Sequence, residues 1–306
     1  MESYEVVVVG ASFAGLSAAM QLARARRKIL VVDAGRPRNR FAPTSHGFLG
    51  QDGVPPAKIM REALTQLSRY PSVDFVHLEA TTAAKDDEGF VLSLSDVEVS
   101  ARKLVLATGV ADTLPLDSMI PRWGVNVLHC PYCHGYEVRD RRLAVIANVE
   151  GASHQAMILP DWGPTTFFTQ GVFEPSAEEA ALLTARGVTI ERTPVAELLG
   201  KGTDISALRL TDGRQVAAEV VFTAPRTRMA SPLAEQLGCA FLDGPTGPYL
   251  KVDTMQQTTV AGAFAAGDAA TQMYNATLAS ATGVLAGVAA HRALVLDTAQ
   301  RVVGLS

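Results

Sequence analysis

The chain opens with a strand, a glycine turn, a helix and a second strand, and this succession limits its fold more than any other feature. Tyr4-Glu-Val-Val-Val-Val9 is an apolar, β-branched run suited to a strand buried on both faces. Gly10-Ala-Ser-Phe-Ala-Gly15 follows. Residues 16–26, rich in Ala and Leu, read as a helix, and residues 28–33 as a second strand, which completes a βαβ unit. Gly10, Ser12 and Gly15 take the three small-residue positions of a dinucleotide fingerprint. Gly10 permits the tight turn from strand to helix, and Gly15 lets helix and strand approach. Position 12 must be small for backbone to reach a pyrophosphate, so Ser12 is a departure that adds a hydroxymethyl group. The helix N-terminus would present free N–H groups to phosphate. Asp33, closing the second strand, stands where a carboxylate can take ribose hydroxyls.

The rest of the chain continues in the same idiom. Residues 42–56 form a Gly- and Pro-containing loop, and residues 57–69 a helix. Strand-like pieces at 73–77 and 90–94 precede an apolar run, 102–109, that ends in Ala107-Thr108-Gly109. From Arg142 the first pattern recurs as a weak internal repeat, with strands at 143–146 and 165–168 around a short helix at 152–159. A last apolar strand closes on Gly267-Asp268, and residues 276–290 form an Ala-rich helix. The expected fold is α/β, with two Rossmann-like, doubly wound, three-layer nucleotide-binding domains, the second inserted in the first. The first domain is expected to span 1–113 and 246–306, the inserted one 114–245.

Composition excludes several classes of function. With 306 residues, 48% of them hydrophobic and 19% charged, the chain can bury a sizeable core. A net charge of −4 and the lack of a basic block give no support to nucleic-acid or anionic-membrane binding. The acidic start lacks the basic flank and longer apolar stretch of a secretory signal, and no run approaches the roughly 20 residues of a membrane span. A cytoplasmic location is therefore expected. Three cysteines are too few for a disulfide scaffold. In a reducing compartment a close pair such as Cys130-Pro-Tyr-Cys133 is more often catalytic or metal-binding than structural. A zinc site would need histidines to complete it, and His129 and His134 abut the pair too closely to close a tetrahedron, so no metal is expected. Two intervening residues do place the sulfurs close enough for one thiol to resolve a mixed disulfide on the other. The isolated Cys239 reads as an ordinary apolar position.

Taken in order, Gly10–Gly15, Asp33, Ala107-Thr108-Gly109, Cys130-Pro-Tyr-Cys133 and Gly267-Asp268 resemble the thioredoxin reductases and related flavin disulfide oxidoreductases over nearly the whole chain. The resemblance implies FAD in the first nucleotide site, Asp268 near the ribityl chain and pyrophosphate, and a homodimer. It implies that Cys133 exchanges electrons with the flavin while Cys130 meets an external dithiol or disulfide, either a small molecule or a thioredoxin-like protein. His134 stands where ordinary thioredoxin reductases carry an acid/base aspartate. A histidine can take a substrate thiol's proton near neutral pH, and Glu137, three residues on, is expected to orient it. His46 and His129 are weaker candidates.

The second repeat lacks the parts of an NADPH site. Ala147, Val149 and Ala152 fall at its small-residue positions, and Val149 puts a branched side chain where bare backbone is needed. After the next strand, Thr169-Gln-Gly-Val172 replaces the arginines that hold a 2′-phosphate. Each lost charge-assisted bond is worth about 1.5–3 kcal/mol, so two would weaken binding roughly 10²–10⁴-fold. Electrons can then flow outward, from a dithiol to O₂, as in the similar dithiol oxidases of natural-product biosynthesis. They can also flow inward, from ferredoxin, another flavin or weakly bound NADPH, to reduce thioredoxin. A non-catalytic flavin redox sensor is a further alternative. His134 favours the oxidase.

Overall fold

The structure is a computed structural model and describes residues 1–304. It is built from β1 (Glu2–Val9), α1 (Phe13–Arg24), β2 (Ile29–Val32), α2 (Pro56–Leu67), β3 (Val73–Val76), β4 (Ala80–Lys85), β5 (Phe90–Leu94), β6 (Val97–Leu106) and β7 (Val110–Thr113). These are followed by β8 (Val127–Leu128), α3 (Pro131–His134), β9 (Leu143–Ile146), α4 (Ala152–Ile158), β10 (Thr165–Phe168), α5 (Ala177–Ala185) and β11 (Thr189–Glu191). Next come β12 (Val195–Leu199), β13 (Ala207–Leu210), β14 (Gln215–Ala217), β15 (Val220–Phe222) and β16 (Arg226–Met229). The chain ends with α6 (Leu233–Gln236), β17 (Phe241–Asp243), β18 (Pro248–Leu250), β19 (Ala263–Ala265) and α7 (Ala276–Val303).

Two compact units result. The first comprises Met1–Arg38, Ala57–Ala111 and Arg228–Ser306, and the second Asn39–Pro56 with Asp112–Thr227. The stretch 228–245, assigned to the inserted region from sequence, groups with the first unit for a physical reason. Met229, Leu233, Ala234 and Cys239 are buried in one core cluster with Val7, Val9, Leu104 and Leu106. The loop at 39–56 groups with the second unit.

In the first unit β3-β2-β1-β6 run side by side in parallel, β19 adds to β6 in parallel, and β5 and β4 extend β6 antiparallel. Alternation along β1 explains its uninterrupted apolar sequence. Val7 and Val9 face the cluster just named, Val6 and Val8 point to the opposite face, and all four are buried. In the second unit β11-β10-β9-β15-β8 form an all-parallel sheet. A three-stranded antiparallel sheet, β12-β13-β14, accompanies it. Each unit thus carries the parallel βαβ core expected from the repeat.

The last helix departs from expectation. It runs 28 residues, from Asn275, whose side chain accepts from the N–H groups of Thr277 and Leu278, to a left-handed Gly304. With a mean hydropathy of 1.4 over its best window, α7 is long and apolar enough to cross a membrane by length and composition alone. This corrects the expectation that no run approaches a membrane span; Thr, Ser and Gly spaced through the sequence break up its apolar pattern. Those small residues serve packing. A Cβ added at Gly283 would lie 2.1 Å from the Ala14 carbonyl oxygen, and one at Gly287 2.5 Å from that of Ala18. The backbones of α1 and α7 are therefore in direct contact.

Candidate functional site

The residues singled out from sequence fall into two groups, one in each unit. In the first unit, Gly10 adopts a φ of +101°, and a side chain there would drive a Cβ to 2.3 Å from the Ala107 carbonyl oxygen. A Cβ at Gly15 would come within 1.7 Å of the Gly10 carbonyl oxygen. The fingerprint turn is therefore closed against both its own helix and the Ala107–Gly109 turn, whose Ala107 N–H donates to the Val9 carbonyl. Ser12 caps α1 with extended backbone, and its hydroxyl makes no capping bond. One oxygen of the Asp33 carboxylate accepts the Ala11 N–H at 2.9 Å and the other the Gly35 N–H at 3.0 Å. Those bonds fix the carboxylate beside the turn and leave further lone pairs on each oxygen.

Gly267 donates its N–H to the Thr282 hydroxyl on α7. Asp268 is mostly buried and paired with Arg38, whose guanidinium nitrogen lies 2.9 Å from the carboxylate and whose plane sits 4.0 Å from the centre of the Tyr274 ring. Arg38 was not foreseen. The Arg36-Pro-Arg-Asn-Arg40 run after Asp33 was the available signal, but nothing in one sequence ties it to residue 268.

In the second unit Cys130 and Cys133 are joined as a disulfide, with Cα atoms 5.2 Å apart. Cys130 caps the single turn of α3 and Pro131 begins it, a position where the missing N–H costs nothing. Tyr132 projects into solvent with its ring edge-on to Trp162. His134 ends the turn, four residues after Cys130 and on the same side of the helix.

Glu137 does not sit on His134 as expected. Its carboxylate lies 3.4 Å from Nδ1 of His46, and the Asp52 carboxylate lies at the same distance from the same nitrogen. The reason is the loop at 39–56. Ser45 and Val54 form a bridge, the Gly47 N–H donates to Asp52, and Nε2 of His46 is 3.1 Å from the Thr44 hydroxyl. That loop holds His46 with its ring centre 6.4 Å from that of His134. Burial lowers the pKa of His134 below its ordinary value, the charge of His46 lowers it further, and Glu137 pulls the other way. His129 contributes its backbone carbonyl to the Gln155 amide.

Cys239 is buried, its sulfur 3.7 Å from the Thr258 hydroxyl, and burial pushes its thiol pKa up, as for an inert core thiol. Among the described residues, no group of three or more His, Cys, Asp or Glu side chains is placed to hold a metal ion.

The loop after β9 is packed largely inward. Ala147 and Val149 are buried, the Asn148 amide donates to the Ala224 carbonyl, and Glu150 projects into solvent ahead of the seven-residue α4. After β10, Thr169 is buried and the Gln170 side chain accepts the Val195 N–H. The neighbouring arginines are already committed, Arg192 to Glu174 and Arg214 to Glu191.

Residues 4–146 and 170–283 match the family described as pyridine nucleotide-disulphide oxidoreductase. The chain belongs to this family. The unmatched interval, 147–169, starts at the altered loop after β9. Thioredoxin reductase tcpT of Claviceps purpurea is 31% identical over 309 residues, covering 96% of this chain and 95% of that protein. Thioredoxin reductase sirT of Leptosphaeria maculans is 29% identical, covering 93% and 92%. Among solved structures, an oxidoreductase from Agrobacterium tumefaciens superposes with a TM-score of 0.92 at 46% identity, covering 97% of this chain and 99% of that one. HlmI superposes at 0.89 with 33% identity, covering 99% and 96%.

This pyridine nucleotide-disulphide oxidoreductase is thus a thioredoxin reductase-like enzyme acting on sulfur, with FAD as its cofactor. The first unit fits such a group. The space beside Gly10 and Gly15 has no room for a Cβ, and Asp33 is fixed at the end of the adjacent strand.

Proposed function

We propose that the enzyme is a dithiol oxidase, with the net reaction R(SH)₂ + O₂ → R(S₂) + H₂O₂. The observation that carries this reading is the state of the second nucleotide loop. Val149 is buried in the turn, and the arginines beside β10 are paired with carboxylates. A pyrophosphate would meet no bare glycine backbone in this turn, and a 2′-phosphate would have to compete with carboxylates for the nearby guanidinium groups. The family expects a nicotinamide donor, so its electrons would have to come from the other side, through the cysteines.

In this reading Gly10, Ser12, Gly15, Asp33, Ala107, Thr108, Gly109, Gly267 and Asp268 hold FAD. When bound, FAD supplies a two-electron acceptor that O₂ can reoxidise. The chain's own residues perform the exchange. One substrate thiol gives its proton to His134, and the resulting thiolate attacks Sγ of Cys130. A substrate–Cys130 bond forms, the Cys130–Cys133 bond breaks, and Cys133 leaves as a thiolate. His134 releases that proton to solvent and takes the one from the second substrate thiol, and this second thiolate attacks the substrate sulfur bound to Cys130. The substrate disulfide closes and Cys130 leaves as a thiolate. Two electrons have moved from the substrate to the cysteine pair, and two protons have left the substrate.

A half-buried His134 with a lowered pKa is unprotonated at neutral pH and can serve as this base. Its replacement by alanine should lower kcat/KM for a small dithiol by about 10²–10⁴-fold while the protein keeps its flavin spectrum. An unchanged rate would remove His134 from the mechanism. The reaction itself is tested with an oxygen electrode and a peroxide assay. One H₂O₂ per disulfide closed is expected, without added nucleotide. Turnover of thioredoxin disulfide with NADPH, and none of a dithiol with O₂, would reverse the direction proposed.

A further inference from the structure

We propose that His46 is a positioning residue for His134: it occupies Glu137, and so leaves His134 without a carboxylate partner and free to accept a proton. The inference rests on the role given to His134 above.

Two imidazoles lie 6.4 Å apart, and the acidic groups beside them are Glu137 and Asp52. Both carboxylates stand on the His46 side, each 3.4 Å from Nδ1. They therefore face the His46 ring rather than that of His134. A charged His46 then opposes a second charge on His134, in the same direction as the desolvation His134 already meets. The loop enforces this division. Asp52 is tied to the Gly47 N–H, the Ser45–Val54 bridge closes the turn, and Thr44 holds the far nitrogen of His46. None of these contacts is needed for a loop that merely links two elements.

The chemistry requires such a device. Each catalytic cycle takes two protons from the substrate, one per thiol, so the base must be empty twice. A His134 paired directly with Glu137 would be held as imidazolium and would be a poor acceptor. Around His134 the charged or titratable groups are His46 and Glu137, with Asp52 behind His46; Cys130 and Cys133 do not titrate while they form a disulfide.

The two partners should therefore act on His134 with opposite signs. Removing the charge of His46 frees Glu137 for His134 and raises its pKa; removing Glu137 lowers it. The test is an NMR titration of the His134 ring in the oxidised holoenzyme, alongside the pH profile of kcat/KM for a small dithiol. In His46→Asn the His134 midpoint and the acid limb of the profile should both move up by about one pH unit, so that the loss of activity is several-fold greater at pH 6 than at pH 8. Glu137→Gln should move both down. His46→Lys, which restores a positive charge, should return the midpoint toward wild type. A purely structural His46 would lower activity at every pH with the midpoint unmoved, and that result, or a downward shift in His46→Asn, would overturn the inference. Should the asparagine variant fail to fold, His46→Gln, which also removes the charge, gives the same sign. The NMR arm separates the two claims: midpoints that shift as stated in an enzyme that does not oxidise dithiols would uphold the inference and sink the oxidase, whereas unmoved midpoints in an active oxidase would do the reverse.

Discussion

Replacing Cys133 by serine should abolish dithiol-driven reduction of the flavin, by about 10³-fold or more, because the two sulfurs work as one unit and neither half-reaction survives alone. In the proposed exchange, Cys133 is the sulfur that leaves when substrate attacks Cys130, and a serine oxygen cannot form that bond in the resting enzyme. The variant would still bind FAD, since the fingerprint, Asp33 and the 107–109 turn belong to the first unit. Stopped-flow absorbance at the flavin band, with excess dithiol and no air, reads the result. The Cys130→Ser enzyme should fail equally, through loss of the attacked sulfur. A Cys133→Ser enzyme that is bleached at the wild-type rate would show that electrons reach the flavin without this pair.

The second large effect is expected at Gly15. A single methyl group there must be placed 1.7 Å from the Gly10 carbonyl oxygen, a backbone atom that cannot rotate away. Overpacking of this kind costs about 1–3 kcal/mol where side chains can adjust, and more where backbone must move. Here the displaced backbone is the nucleotide turn itself, so Gly15→Ala should purify without its yellow colour and melt at a lower temperature. FAD affinity should fall by about 10²-fold or more, the equivalent of about 2.7 kcal/mol. Isothermal titration of the apoprotein with FAD measures it. An alanine variant with unchanged FAD affinity would mean that the turn is not the cofactor's cradle.

Much of this could be read from sequence because the signals were local. The unbroken run of β1 marks a strand buried on both sides, and the glycine spacing marks a turn with no room for side chains; both are properties of a few adjacent residues. Phe90–Leu94, Leu143–Ile146 and Thr165–Phe168 were legible as strands for the same reason. What stayed hidden depended on distance along the chain. Residues 228–245 join the first unit because Met229, Leu233 and Cys239 meet Val7 and Leu104 in space, and no local pattern carries that. The pairing of Arg38 with Asp268 joins residues 230 positions apart. Glu137 looked like a partner for His134 because it is three residues away, yet α3 ends at His134 and the helical spacing that would bring the two together ends with it. His46, nearly ninety positions upstream, reaches the carboxylate through its closed loop. The helix α7 was underestimated because alanine, glycine and threonine dilute the apolar signal while serving close contact with α1.

The direction of the reaction is set by where the electrons enter. Oxidised holoenzyme should be titrated under argon, in one cell with a small dithiol and in another with NADPH, while the flavin absorbance is followed. Excess dithiol should bleach the flavin, and admission of air should restore the colour. NADPH at micromolar concentration should leave the spectrum unchanged. Full bleaching by micromolar NADPH, with a dithiol having no effect, would contradict the account.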